Sequence, residues 1–166
     1  LVIFSIVFII QIIIHESGHL IFGLISGYEF ISFRVGSITI IKDDGKFKLK
    51  KFNIKGTGGQ CLMMPKTNNY EELHYILYNL GGVLMNAIVS IVSVIILLSV
   101  DTNKYIEVML IAFIFIGIVC VIGNGIPMKI SGIANDGYNI LSISKDNFIK
   151  YCFYTQLKVN GLLYKG

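Results

Sequence analysis

The residues with the clearest chemistry are two histidines and a glutamate in the segment His15-Glu16-Ser17-Gly18-His19. Residues four apart on a helix lie on the same face, so His15 and His19 would present their imidazoles together. Two such nitrogens can bind one Zn²⁺ at about 2.0–2.1 Å. Glu16 would lie beside the metal and move a proton from a bound water to a leaving amine. The motif predicts metal-assisted hydrolysis, and Gly18 would let another element approach this helix closely.

The composition indicates where such a helix would lie. The chain has 166 residues, of which 54% are hydrophobic and 14% charged, with a mean hydropathy of +0.73. An average soluble domain is roughly 25% charged, and a soluble chain this short cannot bury so much apolar surface. The net charge of +4 is modest and its lysines lie between apolar runs, which does not favour a nucleic-acid partner. We therefore expect the lipid bilayer to surround the protein.

Three apolar runs, 1–25, 76–100 and 108–128, are long enough to cross about 30 Å of hydrocarbon. The first run is apolar except for Gln11 and the motif, which lies about ten residues from the end of the run, or roughly 15 Å deep. Polar groups at that depth mark functional sites, although they also serve as interhelical hydrogen bonds. The first fourteen residues have no basic leader or cleavage site, so we interpret them as part of a membrane span and not as a signal peptide.

The region between the first two runs, about residues 30–64, has the pattern of strands. Residues 33–40 are rich in β-branched side chains, 43–45 (Asp-Asp-Gly) are a turn signal, and 46–50 alternate between polar and apolar. These features predict a β-hairpin, with a third strand near residues 59–63. Because a lone hairpin is marginal in water, it should rest on the membrane or on the helices.

The basic residues are distributed unevenly among the connecting segments. Eight Lys or Arg lie within residues 26–75 and five from Lys129 onward, whereas the loop 101–107 has only Lys104. Cytoplasmic loops carry an excess of Lys and Arg, so the hairpin and the C-terminal segment 138–166, which should be partly helical, are predicted to be cytoplasmic. The predicted fold is mainly α, a single-domain, multi-pass protein of the cell membrane with a three-transmembrane-helix core and a membrane-associated β-hairpin or small sheet.

A catalytic zinc site needs a third protein ligand and keeps its fourth position for water. Asp101 and Glu107 lie on the opposite predicted side of the membrane, and His74 stands where a span enters the interface. Asp136 is the best remaining carboxylate, although an Asp-Gly pair is also an ordinary turn signal. Cysteine ligands are not indicated, because the three cysteines are widely spaced and form no Cys-x-x-Cys pair.

Further short elements follow the zinc motif in order along the chain. They are Gly58-Gly59, the Gly-x-x-x-Asn element from Gly82 to Asn86, and Asn124-Gly125-Ile126-Pro127 followed by Asp136-Gly137. Together with the motif they resemble the site-2 protease family of intramembrane zinc metalloproteases, over residues 12–140. The spacing between the last two elements is longer here than is usual in that family.

The resemblance implies a role for each matching residue. His15, His19 and Asp136 would bind Zn²⁺ and Glu16 would act as the base. Asn86 would contact the substrate backbone or the developing oxyanion, and Asn124 would help to hold the active-site region. The hairpin would take up an unfolded segment of a membrane-anchored protein or peptide as an added strand. The implied function is endoproteolysis within the membrane, either regulated intramembrane proteolysis or maturation of a secreted peptide signal.

A second class of function stays open at this stage: a non-catalytic membrane protein of the same fold, either an inactive protease relative or a metal-handling carrier. A carrier needs polar groups along a path through all three spans. The second and third spans offer little beyond Asn86 and Asn124. Measuring the zinc content would separate an inactive relative without metal from an enzyme.

Overall fold

The computed structural model describes residues 2–43, 45–51, 57–130 and 132–165, and in these the predicted fold class is confirmed. The helices are α1 (Val2–Ile25), α2 (Tyr75–Ser99), α3 (Lys104–Gly125), α4 (Asp136–Lys145) and α5 (Asn147–Lys165), with a short 3-10 helix at Tyr70–Glu72. The strands are β1 (Tyr28–Val35), β2 (Ile38–Asp43), β3 (Lys46–Lys51), β4 (Gly59–Pro65), β5 (Lys129–Ile130) and β6 (Ile133–Ala134).

Among the described residues, α1, α2 and α3 are the helices long and apolar enough to cross a membrane. Their outward faces carry large apolar side chains such as Phe8, Ile91 and Val119, each about half exposed. Their inward faces carry polar side chains, among them the fully buried Gln11 and Asn86. This polarity is the reverse of a soluble bundle, and it is the arrangement that lipid surroundings favour, because only polar groups need shelter from hydrocarbon.

Local signals adjust the ends of the predicted spans. Helix α3 begins at Lys104, ahead of the predicted residue 108, because Asn103 Oδ1 accepts hydrogen bonds from the backbone amides of Tyr105 and Ile106. It ends at Gly125, short of the predicted residue 128. Ile126 is extended, as expected for a residue that precedes proline.

Helices α1 and α2 approach each other most closely where Gly18 faces Gly81. A Cβ on either glycine would overlap the backbone carbonyl of the other. The expectation that Gly18 allows a close approach is therefore confirmed. This contact brings the polar faces of the two helices together at the depth of His15 and His19.

The sheet is antiparallel with the strand order β3-β2-β1-β4. The predicted hairpin is present as β2 and β3, which pair Asp43 with Lys46. The strand-like segment 33–40 is divided between β1 and β2, because the chain turns at Gly36, whose φ of 58° suits glycine, and pairs Val35 with Ile38. The predicted third strand is β4, which pairs with β1 and not with β3. Within the predicted turn at 43–45, Asp44 lies outside the described residues.

One face of the sheet is buried against helices and the other is open. Tyr28, Ile31 and Met63 are almost fully buried in a cluster that also includes Tyr78 of α2 and Leu157 of α5. The open face carries exposed apolar side chains on β2 and β3, among them Phe47 and Leu49. Contacts with α1 and α5 hold β4 beside the helical bundle, which agrees with the prediction that the strands rest on the helices.

Candidate active site

Three possible ligand atoms from two separate segments meet inside the helical bundle. The Nε2 atoms of His15 and His19 are 3.1 Å apart, and Asp136 Oδ2 lies 3.1 Å from the first and 3.5 Å from the second. Tetrahedral coordination with bonds of about 2.0–2.1 Å separates ligand atoms by about 3.3 Å. The three atoms therefore have the spacing of one face of a metal coordination tetrahedron, and the group could hold a metal ion.

The hydrogen bonds behind the two rings decide which nitrogens are free. His19 Nδ1 lies 2.8 Å from the carbonyl oxygen of Tyr78, and His15 Nδ1 lies 2.7 Å from Asn86 Oδ1. A carbonyl oxygen can only accept, so both Nδ1 atoms carry the proton and both Nε2 atoms keep their lone pairs. Asp136 Oδ2 is buried and accepts no hydrogen bond within the described residues. Two lone pairs and a carboxylate oxygen at this distance repel one another unless a cation lies among them, so the donor set fits a metal.

Asp136 reaches the histidines because the chain folds back after Pro127. The residues that lengthen the spacing in this sequence form the small β5–β6 hairpin. Asn135 then closes the loop: its Nδ2 donates to the carbonyls of Gly123 and Ile126, and its Oδ1 accepts from the amides of Met128 and Tyr138. At Gly137 a Cβ would overlap the carbonyl of Gly125. The longer spacing is thus absorbed without moving Asp136 away from the site.

Glu16 lies beside the three ligand atoms, buried, with its carboxylate against β4. The backbone amide of Cys61 hydrogen-bonds this carboxylate. A Cβ at Gly59 would lie 2.6 Å from Glu16 Oε1, so only glycine leaves room for it. In the same way a Cβ at Gly82 would lie 2.6 Å from both ring nitrogens of His15. Gly59 and Gly82 therefore leave the space that the side chains of Glu16 and His15 occupy, a role that the sequence analysis did not assign to them.

The motif opens onto a cavity of about 750 Å³. Glu16 and the three ligand residues line one wall, β4 contributes residues 59–62, and α5 contributes Phe153, Gln156 and Asn160. Within the described part of the chain, no Lys or Arg lines it. Burial raises the pKa of the Cys61 thiol, which also borders the cavity, and Cys61 is not part of the group of ligand atoms formed by His15, His19 and Asp136.

The structure separates the other residues singled out in the sequence. Asn124 lines the cavity and donates a hydrogen bond to the carbonyl of Cys120, 3.1 Å away. Asn86 is fully buried behind His15 and does not line the cavity. The substrate contact of Asn86 and the role of Asn124 in holding the site stay predictions. His74 is exposed at the start of α2, apart from the ligand group.

Three helices that are long and apolar enough to cross a membrane thus surround a His-His-Asp group that could hold a metal ion, with Glu16 beside it. The sequence model of peptidase family M50 matches residues 3–162, nearly the whole chain, and the protein belongs to this family. The resemblance to site-2 proteases is thereby confirmed. No individual curated protein and no solved structure matches the chain significantly.

Proposed function

We propose that this protein is a zinc-dependent intramembrane endopeptidase. The observation that carries the proposal is the convergence of His15, His19 and Asp136 next to Glu16, on a helix long and apolar enough to cross a membrane. Membership of peptidase family M50 supports proteolysis as the activity.

His15, His19 and Asp136 would hold the zinc ion, since they supply three ligand atoms and leave a side open to the cavity. When bound, zinc acts as a Lewis acid towards a carbonyl and lowers the pKa of a bound water to about 7. Glu16 stands next to this position and lines the cavity. We assign it the transfer of a proton from the attacking water to the leaving amine.

The substrate that fits this cavity is a segment of a membrane-anchored protein or peptide that has lost its helical structure. A helix satisfies its own backbone hydrogen bonds and shields its peptide bonds, so it must unwind before one of them can reach Glu16. Strand β4 lies at an edge of the sheet and lines the cavity, which suits it to pair with an extended segment. Because Lys and Arg are missing from the described lining, no cationic side chain there would pair with an acidic residue of the substrate.

The test is the variant Glu16→Gln, with the full chain purified in detergent and returned to vesicles that contain membrane-anchored model peptides. Loss of a general base lowers the rate by about 10²–10⁴-fold, while the three metal ligands remain. We therefore expect cleavage to fall by that factor and the zinc content, measured by elemental analysis, to stay unchanged.

The matched control is Ser17→Ala, on the neighbouring residue, whose hydroxyl bonds the carbonyl of Ile13 within its own helix and no other group among the described residues. It should cleave like the wild type. Full activity in Glu16→Gln would overturn the proposed mechanism, and a wild-type chain without zinc would favour an inactive relative.

A further inference from the structure

A fully buried glutamine connects the three membrane-crossing helices. Gln11 lies on α1, one helical turn before His15, and has no exposed surface. Its Nε2 donates a hydrogen bond to the carbonyl of Phe113 on α3 at 2.9 Å, and its Oε1 accepts one from Asn86 Nδ2 on α2 at 2.6 Å. The bond to Phe113 orients the Gln11 amide, so that its oxygen and not its nitrogen faces Asn86.

Gln11 in turn sets the orientation of the Asn86 side chain. Asn86 Nδ2 donates to Gln11 Oε1 and also, at 3.0 Å, to the backbone carbonyl of Gln11. A flipped Asn86 would point its oxygen at two acceptors and lose both bonds, which is costly for a buried amide. Asn86 Oδ1 therefore faces His15 Nδ1, 2.7 Å away, and accepts its proton.

This orientation decides which form of His15 the site contains. A neutral imidazole has its proton on either nitrogen, and the bond at one nitrogen selects the state of the other. With the proton on Nδ1, the Nε2 lone pair points towards His19 and Asp136. With the proton on Nε2, His15 could not bind a metal through that atom.

We propose that Gln11 is a positioning residue which, through Asn86, holds His15 in its metal-binding tautomer. The inference rests on the proposed zinc site and adds to it a residue outside the elements that carry the family resemblance. It also gives Asn86 a place behind the ligand, in addition to the substrate contact predicted from the sequence. Because the chain of hydrogen bonds crosses all three helices, it forms only when the three helices are packed correctly. The metal-binding form of His15 therefore depends on that packing.

The experiment measures zinc affinity in the purified full chain by competition with a chelator, and the visible spectrum of the Co²⁺-substituted protein. Partners behind a metal ligand contribute about 10–100-fold to affinity. We expect Gln11→Leu and Asn86→Leu each to weaken zinc binding by about that factor and to alter the Co²⁺ bands. The double variant should bind no more weakly than Asn86→Leu alone, because both residues act through one chain of hydrogen bonds.

Two further variants separate positioning from packing. Gln11→Glu should retain the wild-type affinity and spectrum, because a protonated carboxylic acid can donate to the carbonyl of Phe113 through its hydroxyl and accept from Asn86 Nδ2 through its other oxygen. Ser93→Ala removes another buried polar group of α2 and should leave both readouts unchanged, because in the described part of the chain the Ser93 hydroxyl bonds the carbonyl of Val89 alone. Should Gln11→Leu fail to insert, Gln11→Met is judged by the same criteria.

The possible outcomes keep the two proposals apart. A wild-type chain that binds no zinc overturns the proposed function and this inference with it. A wild-type chain that binds zinc, with equal affinity and spectrum in Gln11→Leu, overturns only the positioning role of Gln11. Additive losses in the double variant also contradict it, because they would mean that Gln11 and Asn86 act independently.

Discussion

Each histidine of the motif donates a hydrogen bond through Nδ1 to a neighbouring helix and leaves Nε2 available to bind a metal. His19 is anchored by the carbonyl of Tyr78 and His15 by the amide of Asn86. Asp136 differs, because its Oδ2 accepts no hydrogen bond within the described residues although it is buried. A buried carboxylate oxygen without a donor is costly, and a bound cation would remove that cost. Among the three proposed metal ligands, Asp136 is therefore the one whose contribution can be tested most directly.

We predict that Asp136→Asn weakens zinc binding by more than about 100-fold, beyond the loss expected for a partner behind a ligand. The amide has nearly the size of the carboxylate but lacks its charge. Chelator competition on the purified protein measures the change. The matched control is Asp146→Asn: Asp146 accepts the amide of Phe148 at the start of α5, and asparagine caps a helix as well as aspartate does. Equal losses in both variants would contradict a ligand role for Asp136.

At the scale of elements, the position where α4 begins determines whether Asp136, the proposed third ligand, lies beside the two histidines. Asn135 caps α4 and at the same time bonds the end of α3, so it joins the two helices across the β5–β6 hairpin. Asn103 is also an asparagine cap, but its side chain bonds only the first turn of its own helix α3. Both residues cap a helix, but only Asn135 also links two helices next to the proposed metal site.

We predict that Asn135→Ala and Asn103→Ala each cost about 1 kcal/mol of stability as lost caps, and that Asn135→Ala costs more. The additional cost arises because the carbonyls of Gly123 and Ile126 lose their donor. Only Asn135→Ala should also weaken zinc binding, by at least about tenfold, because Asp136 is no longer held level with the histidines. Thermal unfolding and chelator competition measure the two effects. Unchanged zinc affinity in Asn135→Ala would contradict the positioning role.

The whole molecule presents apolar side chains outward along α1, α2 and α3 and keeps its polar groups inside. Basic residues cluster in the sheet and in α4 and α5, whereas Lys104, the first residue of α3, is the one basic residue near the connection between α2 and α3. We therefore propose that the sheet and the C-terminal helices face the cytoplasm. The cavity, lined by both β4 and α5, would then receive water and substrate from that side.

We predict that a membrane-impermeant maleimide labels the exposed Cys152 of α5 in inverted vesicles and not in right-side-out vesicles. A variant with Cys152→Ala and Asn103→Cys should show the reverse. Both carry Cys61→Ala and Cys120→Ala, which removes the other two thiols. Mass spectrometry of the labelled protein gives the result. The opposite pattern would reverse the proposed orientation.

The sequence by itself determined the features that depend on local spacing and composition. The three spans follow from uninterrupted apolar runs, and the pairing of His15 with His19 follows from helical periodicity. The family elements located Asp136 as a candidate, but the sequence could not bring it to the site because a longer segment intervened. The turn at Gly36 was not predicted, because its β-branched neighbours favour a strand whether or not the glycine turns the chain.

Only the tertiary structure decided how these pieces meet. It placed Asp136 Oδ2 beside both Nε2 atoms through the turn held by Asn135, and it gave Gly59 and Gly82 their role of leaving space for side chains of the motif. It also joined Gln11, Asn86 and His15, which lie up to 75 positions apart along the chain. Such contacts arise from the packing of helices against one another, and the periodicity of a single helix does not predict the distances between helices.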